Sequence, residues 1–241
     1  MQREYGTAGG RRLLFTSLTI FILIPAVIAG GVFLLRDRRY NLISILVALL
    51  ACLPFFLSFE RRRPQARELV VIAVMAAVST AGRVLFAFVP GFKPVTAFTV
   101  ITGAALGPEA GFLTGAVTAV VSNLFFGQGP WTPFQMLIWG LIGYFAGWLG
   151  RAGLMERGLV QALYGVLSGV AFSLAMDIWT VLTLDNAFRL SRYLAVAAAS
   201  LPFMAMYAVS NVIFLLLLGG PIGRKLARLR TKYGIGAGTT G

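Results

Sequence analysis

The chain has 241 residues, of which 58% are hydrophobic and only 12% charged, and its mean hydropathy is +0.84, which excludes an ordinary soluble domain. Its formal charge of +13 does not point to nucleic acid, because the basic residues fall at the ends of apolar runs and form no separate face. Histidine is absent, which removes the commonest general base and the commonest metal ligand.

Eight apolar segments can be marked as membrane spans, since a helix needs about 20 such residues to cross the hydrocarbon core. The first, 13–35, follows Arg11-Arg12 and carries small residues at Ala26, Ala29 and Gly30. Its apolar run is too long for a signal core, so a retained helix is expected. The second, 42–59, contains the one cysteine, Cys52, so no internal disulfide is possible. A basic linker beginning Glu60-Arg61-Arg62-Arg63-Pro64 leads to the third span, 69–89. There Ala73, Ala77 and Ala81 recur every four positions and share one smooth helix face, suited to internal packing or to a partner protein.

The fourth span, 95–107, is short for a crossing, so it is tilted, broken or extended into its loop. Only Gly107-Pro108-Glu109-Ala110 separates it from the fifth, 110–126. The sixth is 134–150, the seventh 158–183 and the eighth 194–219, with Pro221 expected to terminate the last helix. Glycines four apart at Gly103/Gly107, Gly111/Gly115 and Gly143/Gly147 predict close helix packing within the chain.

Counting lysine and arginine by side sets the orientation. With the N-terminus inside, 14 fall on inner segments and 6 on outer loops, which predicts both termini in the cytoplasm. Arg36, Arg38 and Arg39 fit this least well. The orientation places the loops 90–94, 127–133 and 184–193 together on the outer face, and they are the best furnished in the chain. The run Ser122-Asn123-Leu124-Phe125-Phe126-Gly127-Gln128-Gly129-Pro130-Trp131-Thr132-Pro133-Phe134-Gln135 is shaped by Gly and Pro, polar at its rim and aromatic at its centre. It reads either as a lid over a small-molecule pocket or as an interfacial turn with a tryptophan anchor.

Two charges lie inside spans. Arg83 and Asp177 are each six residues short of the outer end of their segments, ~9 Å below the boundary at 1.5 Å per residue. An intramembrane charge costs ~3 kcal/mol on insertion scales, so it faces a partner or a wet cavity. Three readings stay open: the two pair with each other, Arg83 snorkels outward, or one or both line the floor of a pocket that opens outward beneath the three loops. No phosphate-binding loop, His-Glu-x-x-His, Gly-x-Ser-x-Gly or metal-ligand spacing occurs, so no ATPase or hydrolase chemistry is legible. The chain is expected to be no enzyme and to need no cofactor or metal.

Residues 68–220 resemble a substrate-binding S component of an energy-coupling factor (ECF) vitamin transporter. The resemblance rests on Ala73-x-x-x-Ala77, Ala81-Gly82-Arg83, Phe92-Lys93-Pro94, Gly111-Phe112-Leu113-x-Gly115-Ala116 and the run 122–135. It implies a six-helix fold that captures a vitamin near the outer face. It also implies docking, through Ala73, Ala77 and Ala81, onto a membrane coupling subunit that carries two cytoplasmic ATPases. A toppling motion that releases cargo inside is implied as well. Carried over residue by residue, it makes Lys93, Asn123, Gln128, Trp131 and Gln135 the leading ligand contacts, followed by Arg83 and Asp177.

The Lys-Pro turn and the Gly-Pro-Trp-Thr-Pro loop place the chain nearest the S components for cobalamin, with folate, pantothenate or pyridoxine as alternative cargo. The expected architecture is an all-α membrane protein with a two-helix extension at 1–60, a basic cytoplasmic linker at 61–68, a six-helix binding domain at 69–220 and a basic cytoplasmic tail at 221–241. The two added spans depart from the six-helix pattern and could crowd the docking face. The rival reading is a membrane scaffold or sensor without a transport role.

Overall fold

Inside a bilayer the backbone finds no water, so its amides must satisfy one another along helices or around closed barrels. The computed structural model describes residues 40–61 and 64–235, and these take the helical solution. In chain order the helices are α1 (Tyr40–Arg61), α2 (Ala66–Leu85), α3 (Val95–Leu106), α4 (Pro108–Phe126), α5 (Thr132–Arg151), α6 (Gly158–Asp185) and α7 (Leu190–Tyr233). A 3-10 turn at Leu154–Glu156 joins α5 to α6, and no strand occurs among the described residues. Helices α2, α4, α6 and α7 are long and apolar enough to cross a membrane. The protein is an all-α membrane protein. The predicted first span, 13–35, lies outside the described residues, as do Arg62 and Arg63 of the linker.

Helix α3 explains its own shortness. Ten of its twelve residues are buried, including Val95 through Gly103, so it forms the interior of the bundle. At 1.5 Å per residue it spans about 18 Å, too little to reach both faces alone. Gly107 is the single residue between α3 and α4, with a φ of +110° that side chains disfavour, and Pro108 then starts α4 where a missing N–H costs nothing. The predicted glycine packing is present. A Cβ on Gly111 would lie 2.6 Å from the Cα of Gly103 and 2.6 Å from the carbonyl carbon of Gly143, so α3, α4 and α5 meet backbone to backbone.

Helix α1 packs against α4, α5 and α6. Phe55 stacks on Phe112 with centroids 4.1 Å apart and meets the edge of Tyr144 at 4.9 Å, beside buried Cys52. Ala73, Ala77 and Ala81 on α2 remain exposed, so α1 does not crowd that face.

Two helix ends differ from the sequence reading. Helix α2 stops at Leu85, and residues 86–90 form turns before the bundle interior begins at Val95. Helix α7 does not end at Pro221 but continues to Tyr233. Packing overrides the proline: Leu226 is buried in the main core with Ile222 and Leu229 against it, and Arg230 donates to the carbonyl of Ala105. The basic tail is therefore helical through Tyr233, with Arg224, Lys225, Arg228, Arg230 and Lys232 exposed.

Candidate functional site

Helix α2 turns two different faces to its surroundings. Ala73, Ala77 and Ala81 point outward, whereas Ser79, Thr80 and Arg83 are buried toward the bundle. Arg83 is only 7% exposed. Its Nη1 donates to the Ser122 hydroxyl and, at 2.9 Å, to the Oδ1 of Asn123, both near the end of α4. Its guanidinium lies 4.5 Å from the Phe126 ring centroid and 5.3 Å from that of Trp139, cation–π distances that shield a desolvated charge. Its Nε–H, together with the hydroxyls of Ser79 and Thr80, is buried without a hydrogen-bond partner among the described residues.

Asn123 is the node of the cluster and has no exposed surface. It accepts from Arg83 and donates through Nδ2 to Thr132 Oγ1 at 2.9 Å and Gln135 Oε1 at 2.8 Å. Thr132 passes the chain on by donating to Gln128 Oε1 at 3.0 Å, and Gln128 Nε2 donates to the carbonyl of Val120 at 2.7 Å. The Gln128 side chain thus ties the connection 127–131 to the ends of α4 and α5.

Lys93 approaches from the α2–α3 loop. Its backbone N–H donates to Ser210 Oγ at 2.8 Å, and the same hydroxyl donates to the Lys93 carbonyl at 3.0 Å, which bolts the loop to α7. Its Nζ lies 5.6 Å from the Phe126 centroid, so Lys93 and Arg83 address the same ring. Burial, and after it the charge of Arg83, holds the Lys93 ammonium below its ordinary pKa. Below the cluster, Trp139 stacks on Phe172 at 5.0 Å with the planes 12° apart, and Phe172 meets Tyr207 at 5.2 Å.

Of the residues singled out from sequence, Arg83, Asn123, Gln135 and Gln128 join one network, and Lys93 borders it. Trp131 lies apart, edge-on to Trp179 at 5.9 Å. Asp177 also lies apart. Its Oδ2 accepts from Ser200 of α7 at 2.6 Å, so the Arg83–Asp177 ion pair does not form. Arg83 does not snorkel outward either.

The site differs from an open hollow roofed by loops. Asn123, Arg83 and Gln135 are sealed at 9% exposure or less, with Phe126 over the guanidinium. Sequence reading passed over Ser122, Phe126, Thr132, Trp139 and Ser210 as partners in the cluster. Trp139 carried a usable signal, one helical turn beyond Gln135 on the same face. Ser210 carried none, being 117 residues from Lys93.

The sequence profile of the family described as ECF-type riboflavin transporter, S component, matches residues 64–228. No curated protein and no solved structure gives a significant match.

Proposed function

The chain belongs to the family of ECF-type riboflavin transporter S components, substrate-binding membrane subunits rather than enzymes, and we propose that its own cargo is a flavin. The match across residues 64–228 carries this reading, and it replaces the scaffold-or-sensor alternative. It gives no support to a cobalamin-type cargo, nor to folate, pantothenate or pyridoxine, because the family is named for riboflavin.

The cluster suits such a ligand. A flavin ring is flat and aromatic and carries two carbonyls and an imide N–H along one edge. Trp139 and Phe172 supply an aromatic pair that could part to admit a flat ring, the Arg83 Nε–H is a donor not engaged among the described residues, and Asn123 and Gln135 carry amides able to exchange their mutual bond for bonds to an imide. Capture then requires the 127–131 connection and Phe126 to move off the cluster, so entry is gated. We place this mouth on the outer face and both termini in the cytoplasm, as the basic-residue count favours.

The test is to denature the purified protein and identify what it releases by mass spectrometry and absorbance. A flavin is the expected product. A released corrinoid, or a folded protein that binds no flavin in titration, would overturn the assignment.

Delivery inward we assign to a membrane coupling subunit with two cytoplasmic ATPases, docked on the exposed alanine face of α2. An apolar groove of about 490 Å³ borders that face, lined by Ala77, Thr80, Ala81, Val84, Val121 and Phe125. Ala77→Trp fills it. We expect this variant to lose co-purification with the coupling subunit while flavin binding stays unchanged. Retained co-purification would remove the alanine face from docking.

A further inference from the structure

Arg83 and Lys93 bring two positive charges to one buried end of the bundle, and among the described residues no acid pairs with either. The groups around Arg83 are the Ser122 hydroxyl, the Asn123 amide oxygen and two aromatic faces, with the Tyr207 phenol also near, and none of them is an anion at neutral pH. The Lys93 ammonium contacts the Phe126 ring. Among the described residues, the two acids toward the same end are engaged elsewhere, Asp177 by the Ser200 hydroxyl and Asp185 by Arg192 at 3.0 Å. Desolvating a cation is tolerable only with compensation, and neutral acceptors give less of it than an anion does. In addition, the Arg83 Nε–H and the Ser79 and Thr80 hydroxyls are buried and make no hydrogen bond among the described residues.

Building on the flavin reading, we propose that this site prefers a flavin bearing an anionic group, a phosphate monoester or a carboxylate on its side chain, over neutral riboflavin. A compact anion seated between Arg83 and Lys93 would accept from the orphaned Arg83 Nε–H and neutralise both charges. A phosphate monoester suits the pair best, since it carries close to two negative charges at neutral pH and three acceptor oxygens. Planar, forked arginine matches such a group in direction, and lysine adds a movable point charge.

The experiment measures dissociation constants of the full chain in nanodiscs for three flavins at pH 7.5: riboflavin, flavin mononucleotide and a carboxymethyl-substituted flavin. We expect the mononucleotide to bind at least ~10-fold tighter than riboflavin, the size expected for one added charge-assisted bond. Tighter binding of either anionic flavin supports the proposal, and their order ranks phosphate against carboxylate. Arg83→Gln and Lys93→Met should each shrink the preference. Lys93→Met, on a loop, keeps the test available should Arg83→Gln not fold. Riboflavin binding as tightly as both anionic flavins overturns the proposal and leaves the flavin assignment standing. So does a preference undiminished in Lys93→Met and in any folded Arg83→Gln. Failure of all three flavins to bind folded protein overturns both.

Discussion

Asn123→Leu is expected to weaken flavin binding by about 100-fold and to destabilise the fold by about 3 kcal/mol. Leucine keeps the volume and removes every polar contact. In the parent, Asn123 accepts from the Arg83 guanidinium and donates to Thr132 and Gln135, with none of the four residues more than 9% exposed. Losing it strips the Arg83 Nη1 of one of its two acceptors and leaves the Gln135 oxygen without its bond. Hydrogen bonds to a charged group contribute roughly 1.5–3 kcal/mol, and an abandoned buried partner costs a similar amount. Helices α2, α4 and α5 then lose their common tether. Thermal melting and flavin-fluorescence titration read the two effects separately. A variant that melts and binds like the parent would show that Asn123 is no node.

The second large effect comes from a hydrogen atom. Gly111→Val is expected to abolish recovery of monodisperse protein, a cost upward of ~3 kcal/mol. The added Cβ would fall within contact of the Gly143 carbonyl oxygen and 2.6 Å from the Gly103 Cα, and both neighbours are backbone that cannot rotate away. Relief would require α3, α4 and α5 to separate, opening the core that holds Val100, Ile101 and Ile142. In lipid no hydrophobic force draws helices together, so close backbone approach supplies much of the association energy. Size-exclusion chromatography after mild detergent extraction decides the matter. A sharp parental peak from Gly111→Val would show that the three helices can move apart cheaply.

How far the sequence foretold these features follows from their range along the chain. Spans are local properties, so α1 through α6 emerge within a few residues of their hydropathy limits. The buried shortness of α3 was visible as a short apolar run, while its central place was not, because burial depends on neighbours far away. Pro221 misled because local propensity argues for a stop, whereas Leu226 and Arg230 hold the helix on through distant contacts with the bundle.

The candidate site shows the same division. The run 122–135 announced Asn123, Gln128 and Gln135 together, since one short connection and its two flanking helix ends supply them. Arg83 stood out as an intramembrane charge, but its partners on α4 are 39 and 40 residues away. Asp177 stood out by the same logic and proved to belong to the α6–α7 seam with Ser200. Charge inside a span reveals that a residue needs company; it does not reveal whose.

Helix α7 has 44 residues, about 66 Å at 1.5 Å per residue, twice what a bilayer core demands. At Ser210 it grips the Lys93 loop, and further along its base leans on Ala105. No loop interrupts it between these two points. A shift of the Lys93 loop would therefore be felt beside Ala105, about 30 Å further along the same helix, with Pro221 between them as the one place where the rod can bend.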